Sequence, residues 1–471
     1  MSGLFGSLNN SVKALNAQTR GIETAGRNLA NVSNPDYARQ RVIFGDRGTV
    51  VTTSGPQSLG LEALGIQQLR DTLLDQQVLR EVSLRADLEM RQSALESTQA
   101  GLGQSIDRNS GTSSADGGSH GIAESMSDFF NAFQSFAAKP TDVGEKQTLI
   151  QKAQILADRF RMTDERLTQV QADMTSEITN NVDDVNRLLS TIADLNTQIS
   201  HYEQNFPGGA ADLRDTRQKN MEELAKLMNF ESRPQPGYPG QVQLFTHDGT
   251  GSEIILVNLG SSASLALNVA GTTVTATPPV GAAAVVEFKS GAIHGSFEAR
   301  DTYVAGIRTE LDALAHQMVV SVNGAYSASG SNFFNPAGLT AGTIALNAAI
   351  NANTLVAGTG SSGDNTIAIA VGAIASTKYS VAGGDFVDGT MSQAYNKTVT
   401  DMGQTLSGVT ARLEDQATIE KLMRSQRDAV SGVSLDEEMA DLMKYQRAFQ
   451  ASSRVIATID NLLETVVNLG R

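Results

Sequence analysis

The chain has 471 residues, enough for about three domains and a sizeable hydrophobic core. It contains 51 acidic and 36 basic residues, and this net charge of −15 argues against nucleic acid as the main partner, because phosphate binding needs a basic surface. The absence of cysteine excludes disulfides, thiolate metal sites and cysteine nucleophiles.

The first residues lack the basic segment and continuous apolar stretch of a cleaved secretory signal. The chain also has no run of about 18 apolar residues, so we expect no membrane insertion. The protein either stays inside the cell or leaves by a route that needs no cleaved signal.

An amphipathic helix is predicted at the N-terminus. Apolar residues recur at alternating intervals of three and four, which is typical of the contact face of a paired helix. This N-terminal stripe consists of Phe5, Leu8, Val12, Leu15, Ile22 and Leu29. Asn31, Ser33 and Pro35 then predict the end of the helix, because proline restricts the preceding residue and asparagine and serine favour turns.

The Pro35–Tyr37 element allows two interpretations. It is either a local helix stop in which Tyr37 packs nearby, or a turn that sets the angle of the terminal helix. In the second case it offers Tyr37, Arg39 and Arg41 to a neighbouring molecule.

The next part of the chain is predicted to be mainly helical. Helices are predicted over 61–103, 122–138, 142–206 and about 211–229, with a Gly- and Ser-rich loop at 104–121. The segment 142–206 has almost no Gly or Pro and would form a helix on the order of 95 Å long at 1.5 Å per residue. The cluster Phe129, Phe130, Phe133 and Phe136 predicts core packing.

The periodicity changes after residue 230. Short β-branched runs between 242 and 288 predict β-hairpins, and a helix follows at about 294–326. Residues 329–390 contain 10 Gly, 12 Ala and four charged residues, which predicts a β-rich or loop-rich insert. Residues 391–431 are predicted to be helical again.

A second amphipathic helix is predicted at the C-terminus. Its apolar stripe consists of Leu442, Tyr445, Phe449, Ile456, Ile459, Leu463 and Val466. Ser434 and Glu437 have the spacing of a capping box, and Gly470 is a candidate stop. Residues 1–60 hold six basic and three acidic groups, whereas residues 432–471 hold four basic and six acidic groups. The opposite charge and matching stripes predict that the terminal helices pair; the alternative is two ordinary core helices of one domain.

Four segments resemble the bacterial flagellar rod, hook and hook-associated protein family. The first, Asn28 to Gln40, has the family's Ala-Asn pair followed by a Pro-x-Tyr element, and the second, Gly432 to Ile456, is similar to its closing helix. The ending Tyr37-x-Arg39-Gln40 and the third segment, Asp128 to Gln134, resemble the member that joins hook to filament. A weaker match is Asp212 to Arg217. Asn34 and Asp36 stand where the family often has Thr and Gly, and the chain is short for the family.

The resemblance implies a mainly α fold with β inserts, in an elongated multi-domain axial protein. The terminal coiled-coil helices, 1–45 and 432–471, would form an assembly domain. A helical bundle would comprise 61–230, 291–328 and 391–431, with a β-hairpin region at 231–290. The β-rich insert, 329–390, would lie at the outer tip.

The implied function is structural rather than enzymatic, without a cofactor. Family membership implies type III export, self-assembly into a ring or helix, and contacts with hook protein and hook-associated protein 3. An export chaperone would cover the C-terminal helix. The predicted assembly interface comprises the two apolar stripes together with Asn31, Pro35, Tyr37 and Arg39. We expect both stripes to lack sufficient partner surface in the single chain and to stay mobile until neighbours cover them.

Two alternatives remain from the sequence. One is another axial protein, either hook protein or hook-associated protein 3. The other is a secreted adhesin or hydrolase with its site in 329–390.

Motifs for catalysis or metal binding are weak. Residues 117–121 match G-x-S-x-G but lie in a Gly- and Ser-rich loop rather than after a buried strand. The five histidines lack the spacing of a metal motif. The acidic pairs Asp183–Asp184, Glu222–Glu223 and Glu437–Glu438 fall on predicted helices, where we expect solvated faces.

Overall fold

The computed structural model describes residues 2–46, 48–52, 55–58, 60–103, 121–204, 208–238, 240–360 and 363–469. The fold is mainly α-helical with small antiparallel sheets, as the sequence predicts. The helices are α1 (Ser2–Ala30), α2 (Thr72–Gly101), α3 (Ile122–Ala138), α4 (Val143–Glu203), α5 (Ala211–Leu227), α6 (Ala292–Glu298), α7 (Ala305–Tyr326), α8 (Thr366–Ala373), α9 (Met391–Ser431) and α10 (Leu435–Leu469). A π-helical segment, Ala299–Val304, connects α6 to α7.

The strands are β1 (Gln40–Asp46), β2 (Thr49–Thr52), β3 (Gly55–Ser58), β4 (Leu61–Gln68), β5 (Glu231–Pro234), β6 (Val242–His247), β7 (Glu253–Asn258), β8 (Ser261–Ser262), β9 (Ser264–Leu267), β10 (Val274–Thr277) and β11 (Ala284–Val285). β1 pairs with β4, β2 with β3, and β5 to β8 form a sheet in chain order. A further sheet has the order β11–β10–β9, so the predicted hairpins between 242 and 288 are confirmed.

The long helices agree closely with the sequence. α4 has 61 residues, which corresponds to about 90 Å of helix, and α9 begins and ends at the predicted residues. Helices of this length follow from uninterrupted periodicity with few helix-breaking residues.

The predicted helix at 61–103 is wrong over its first residues. Leu61–Gln68 is strand β4, antiparallel to β1, with Val42 opposite Ile66. Its pairing depends on a partner about 20 residues earlier, which the leucine spacing within 61–103 does not reveal. The helix α2 starts later, where the Asp71 side chain accepts hydrogen bonds from the backbone N–H groups of Leu73 and Leu74 at 2.9 and 3.3 Å.

The chain divides into two compact units. Unit 1 contains Met1–Arg85, Asn181–Gly291 and Gln416–Arg471, and unit 2 contains Ala86–Asn180 and Ala292–Asp415. The four-part domain division remains a prediction.

Unit 2 is built around a phenylalanine-rich core. Phe129 and Phe133 of α3 are fully buried, and their ring centroids lie 5.1 Å apart. Phe333 lies 5.1 Å from Phe133, and Phe334 lies 5.7 Å from Phe129. The predicted core role of the α3 cluster is confirmed.

The sequence predicts a β-rich or loop-rich insert at 329–390, and the described part of this segment is loop-rich rather than β-rich. In its described part, β structure is limited to isolated bridges, such as Phe334 with Leu346, beside the short helix α8. Its apolar side chains enter the core of unit 2, including Phe333, Phe334, Ile344, Leu355, Ile367 and Val371. Small residues favour close packing here, whereas the frequent Gly interrupts any extended ladder.

In unit 1, α1 contacts α10, β1 and β4, and α5 also contacts β4. The two terminal helices thus meet beside the small sheet that follows α1. Across the described residues, none of the helices combines the length and the apolar character needed to span a membrane.

Candidate assembly site at the paired terminal helices

The predicted pairing of the terminal helices is confirmed, because α1 and α10 pack against each other in unit 1. Gly21 marks the closest approach: a Cβ atom at this position would lie 2.9 Å from the ring of Tyr445. The Tyr445 ring also packs against Phe44 of β1, with centroids 5.9 Å apart. A larger side chain at position 21 would therefore require the Tyr445 ring or the helices to shift.

The two stripes are only partly covered by this pairing. Ile459 is buried, whereas Phe5 and Val12 remain 56% and 41% exposed. The intermediate residues are half-buried, namely Leu8, Leu15, Ile22, Leu29, Leu442, Tyr445, Phe449, Ile456 and Leu463. The side chain of Val466 lies outside the described residues, as does Gly470.

These exposures correct one expectation. The stripes do not lack a partner in the single chain, because each one faces the other. A two-helix pair can nevertheless cover only one side of each stripe, so apolar surface remains open. α10 also exposes five large apolar residues that the stripe did not include, at 41–51%: Leu435, Met439, Met443, Val455 and Leu462.

A buried polar junction fixes the base of the helix pair. The Asn28 side chain of α1 donates through Nδ2 to the Gln40 carbonyl at 2.8 Å and to Glu438 Oε2 at 2.9 Å. Its Oδ1 accepts from the Gln40 N–H at 3.0 Å and from the Tyr37 hydroxyl at 2.8 Å. The amide therefore uses all of its hydrogen-bonding capacity.

Glu438 and Arg39 complete this junction. Arg39 Nε donates to Glu438 Oε1 at 2.7 Å, and its Nη1 donates to Glu437 Oε2 at 2.5 Å. The Arg39 N–H donates to the Ser431 carbonyl at 2.8 Å. Glu437 thus binds Arg39, and Ser434 stands directly before the first residue of α10. Both sequence signatures, the turn after α1 and the start of α10, contribute to one network.

The Pro35–Tyr37 element forms the turn. The Tyr37 N–H donates to the Asn34 carbonyl at 3.2 Å, and the Asn31 side chain donates to the Arg27 carbonyl at 2.9 Å. Pro35 is exposed. Partial burial raises the pKa of Tyr37, and the negative charges of Asp212 and Asp215 raise it further. Tyr37 and Arg39 are therefore bound within the chain, and their contact with a neighbour stays a prediction.

A second polar layer connects the turn to α5. Arg70 Nη2 donates to Asp215 Oδ1 at 2.6 Å, and Arg70 Nη1 lies 3.3 Å from Asp75 Oδ2. Gln68 Nε2 also donates to Asp215, at 3.0 Å. Burial raises the pKa values of Asp75 and Asp215, while Arg70 opposes the rise.

The weak match at 212–217 supplies much of this layer. Asp212 accepts from Gln40 at 3.3 Å, and Arg214 pairs with Glu203 at 2.5 Å. Arg217 is buried and donates to Asn196 Oδ1 at 2.8 Å. Burial, together with the charge of Arg214, lowers the pKa of Arg217 to about 10.

The expectation of solvated acidic pairs is wrong for two of the three pairs. Glu222 is buried and accepts from Arg427 at 2.6 Å and Arg424 at 2.8 Å, while Glu438 is buried in the junction. Asp183 and Asp184 are exposed as expected. Sequence reasoning missed the buried acids because their arginine partners lie far away in the chain. The sequence analysis also missed Asn28, Gln40 and Arg70, because each of them has a hydrogen-bond partner in a distant part of the chain.

Residues 117–120 of the G-x-S-x-G match lie outside the described residues, and so does His120. In the part of the chain that the structure describes, no three His, Asp or Glu side chains are grouped to hold a metal ion.

Comparison with protein-family models gives two matches. Residues 112–334 match the flagellar hook-associated protein FlgK helical domain, and residues 424–469 match the C-terminal model of the flagellar basal body rod FlgEFG proteins. The second match covers all of α10, including Glu437 and Glu438 of the junction. Over these two ranges the chain is similar to flagellar hook-associated and rod proteins.

Curated relatives agree with this similarity. The chain is 26% identical to flagellar hook-associated protein 1 of Bacillus subtilis over 99% of both chains. It is also 26% identical to flagellar hook-associated protein 1 of Escherichia coli, over 49% of this chain and 40% of that protein. Among solved structures, this chain is similar to that of the flagellar hook junction protein FlgK from Burkholderia pseudomallei. The match covers 55% of this chain and 46% of the FlgK chain, with 19% identity and a TM-score of 0.47. The family models and curated relatives together support a role as a structural component of the bacterial flagellum.

Proposed function

We propose that this protein joins the flagellar hook to the filament and that the paired helices α1 and α10 are its assembly element. The observation that carries the proposal is the partial exposure of the two apolar stripes, from Phe5 and Val12 to Phe449 and Leu463. The names of the relatives support the junction role over those of hook protein and hook-associated protein 3.

Neighbouring subunits would bury the apolar surface that the α1–α10 pair leaves exposed. Burial contributes about 25 cal/mol for each Å² of apolar surface, and identical subunits that meet through unlike faces build open helical or ring assemblies. In this mechanism the terminal helices form a mobile coiled coil before assembly and become rigid when neighbours cover it. The cost of ordering is then offset by the new interface.

The family suggests how the subunit reaches its place. It would leave the cell through the flagellar type III export channel and remain extracellular at the hook–filament junction. Before export, a chaperone would cover the C-terminal stripe between Leu442 and Val466. At the junction, the partners would be further copies of the chain, hook protein and hook-associated protein 3.

The packing of residues 329–390 supports a structural role over an adhesin or hydrolase site in this segment. Several of its larger apolar residues, among them Phe333 and Leu355, are fully buried in the core of unit 2. They serve the stability of the unit.

A charge placed on the stripe tests the proposal. The double substitution Leu442→Asp and Phe449→Asp should prevent addition of the protein to purified hooks and abolish swimming. The thermal transition of the core, followed by circular dichroism, should be retained. The matched control, Gln446→Asp with Gln450→Asp, adds the same charges at exposed positions of α10 and should assemble normally. Normal hook binding by the stripe variant would contradict the proposal.

A further inference from the structure

The junction buries an acidic side chain, Glu438, that belongs to neither apolar stripe. Glu438 is only 3% exposed, and each of its carboxylate oxygens has a partner: Asn28 on Oε2 and Arg39 on Oε1. Asn28 is 1% exposed and has no spare hydrogen-bonding capacity. A carboxylate in such a place is stable only where both partners stand in these positions.

The apolar stripes alone do not define how α1 and α10 align. Their residues repeat every three and four positions, so sliding one helix by a turn places apolar side chains opposite apolar side chains again. If α10 moved by one turn along α1, Ser434 or Leu442 would replace Glu438 opposite Asn28. Neither residue offers a carboxylate, and Glu438 would be left buried or exposed without its partners.

From this asymmetry we infer that Asn28, Arg39 and Glu438 form a register clamp, which selects one alignment of the terminal helices. Buried polar residues at single positions fix the register of helix pairs in the same way, because every other alignment leaves them unpaired. Asn28 and Glu438 are positioning residues here, and the apolar stripes provide the contact area.

The clamp also connects the register to the rest of unit 1. Arg39 belongs to the turn after α1; its N–H binds the Ser431 carbonyl, and its carbonyl accepts from the Leu69 N–H at 2.8 Å. These contacts hold the Arg39 backbone in place, so Arg39 does not follow Glu438 when α10 shifts relative to α1. The predicted consequence for assembly rests on the proposed function, whereas the register itself can be measured on the isolated protein.

Disulfide trapping can measure the register because the chain has no native cysteine. Cysteines at Gly21 and Tyr445 report the observed alignment, since a Cβ atom at position 21 lies 2.9 Å from the Tyr445 ring. Cysteines at Gly21 and Phe449, combined with Tyr445→Ala so that the side chain at position 21 has room, report an alignment shifted by one turn, because four residues add about 6 Å along a helix. A disulfide needs Cα atoms within about 7 Å, so each pair reports its own alignment.

In the full-length protein with Glu438 intact, oxidation should cross-link the 21–445 pair in preference to the 21–449 pair. The preference should be about tenfold or more, the ratio that 1.4 kcal/mol gives. Glu438→Leu replaces the buried acid with an apolar residue and should bring the two yields close to equality while α10 stays helical. Glu438→Gln, which keeps the side-chain shape but removes the charge, should weaken the preference less.

The matched control is Glu420→Leu. Glu420 is another buried acid of unit 1, bound to Arg424 at 2.6 Å and Arg85 at 3.2 Å, and it takes no part in the clamp. This control should lose stability but keep the wild-type ratio of the two cross-links. A ratio that stays at its wild-type value in both Glu438 variants would overturn the inference. If Glu438→Leu does not fold, the Glu438→Gln ratio decides alone.

Addition to purified hooks separates this inference from the proposed function. If the clamp selects the register and the helix pair assembles, Glu438→Leu should lose both the cross-linking preference and hook binding. Loss of the preference with normal hook binding would support the clamp but contradict the proposed assembly role. Loss of hook binding with an unchanged preference would contradict the clamp.

Discussion

The phenylalanine core of unit 2 and the terminal helix pair of unit 1 are built on different principles. In unit 2, α3, α7 and the segment after α7 bury Phe129, Phe133, Phe333 and Phe334 almost completely. In the terminal pair, most stripe residues are half-buried, whereas the polar residues Asn28 and Glu438 are fully buried. The first region is closed, whereas the second leaves apolar surface exposed, as the proposed assembly role requires, and pairs its buried polar groups with one another.

The same substitution in both regions gives the largest contrast. Leu156→Ala in the unit 2 core should lower the free energy of unfolding by about 4 kcal/mol, because Leu156 is fully buried and leaves a cavity. Leu15→Ala in the half-buried stripe should cost about 1 kcal/mol in the isolated protein. Chemical denaturation measures both values. Equal decreases in the free energy of unfolding would show that the terminal helix pair is packed as tightly as the core of unit 2.

The second polar layer, around Arg70, should be the part of unit 1 that is most sensitive to substitution. Arg70→Ala leaves Asp215 and Asp75 buried without their shared cation and should cost about 3 kcal/mol in urea unfolding. The matched control is Arg233→Ala, which breaks an exposed pair with Glu253 and should cost about 0–1 kcal/mol. Similar small losses for both would mean that Arg70 contributes no more than a surface charge.

Alkaline pH gives the smallest effect. The folded protein raises the pKa of Tyr37. The stabilisation that the neutral Tyr37 hydroxyl contributes to the fold is therefore complete below the ordinary tyrosine pKa of about 10 and is lost as the pH rises above that value. Tyr37→Phe removes this loss. The melting temperature of the wild type should therefore fall relative to Tyr37→Phe by roughly 1–3 °C between pH 9 and 11. Tyr202→Phe, at an exposed position, should follow the wild type throughout, and the same behaviour in Tyr37→Phe would refute the role of the buried hydroxyl.

The sequence predicted those parts of the molecule that depend on neighbouring residues along the chain. The long helices α4 and α9, the α3 core cluster and the pairing of α1 with α10 all follow from periodic apolar residues without helix breakers. The strand β4 was missed because its partner β1 lies elsewhere in the chain.

The candidate site shows the same limit. The apolar stripes were visible in the sequence, but their polar junction was not. Whether a carboxylate such as Glu438 or Glu222 is buried depends on cations from distant segments, Arg39 in one case and Arg427 in the other. No local sequence pattern predicts such a pairing, and acidic residues on a helix are normally exposed to solvent.

Hydrogen exchange, measured by mass spectrometry on the free protein and again after its addition to purified hooks, tests the central claim most directly. In the free protein, the amides of α1 and α10 should exchange much faster than those of α3 and α7, because the terminal pair buries little apolar surface. After addition to hooks, α1 and α10 should become strongly protected while α3 and α7 change little. Equal protection of the terminal helices in both states would contradict the account.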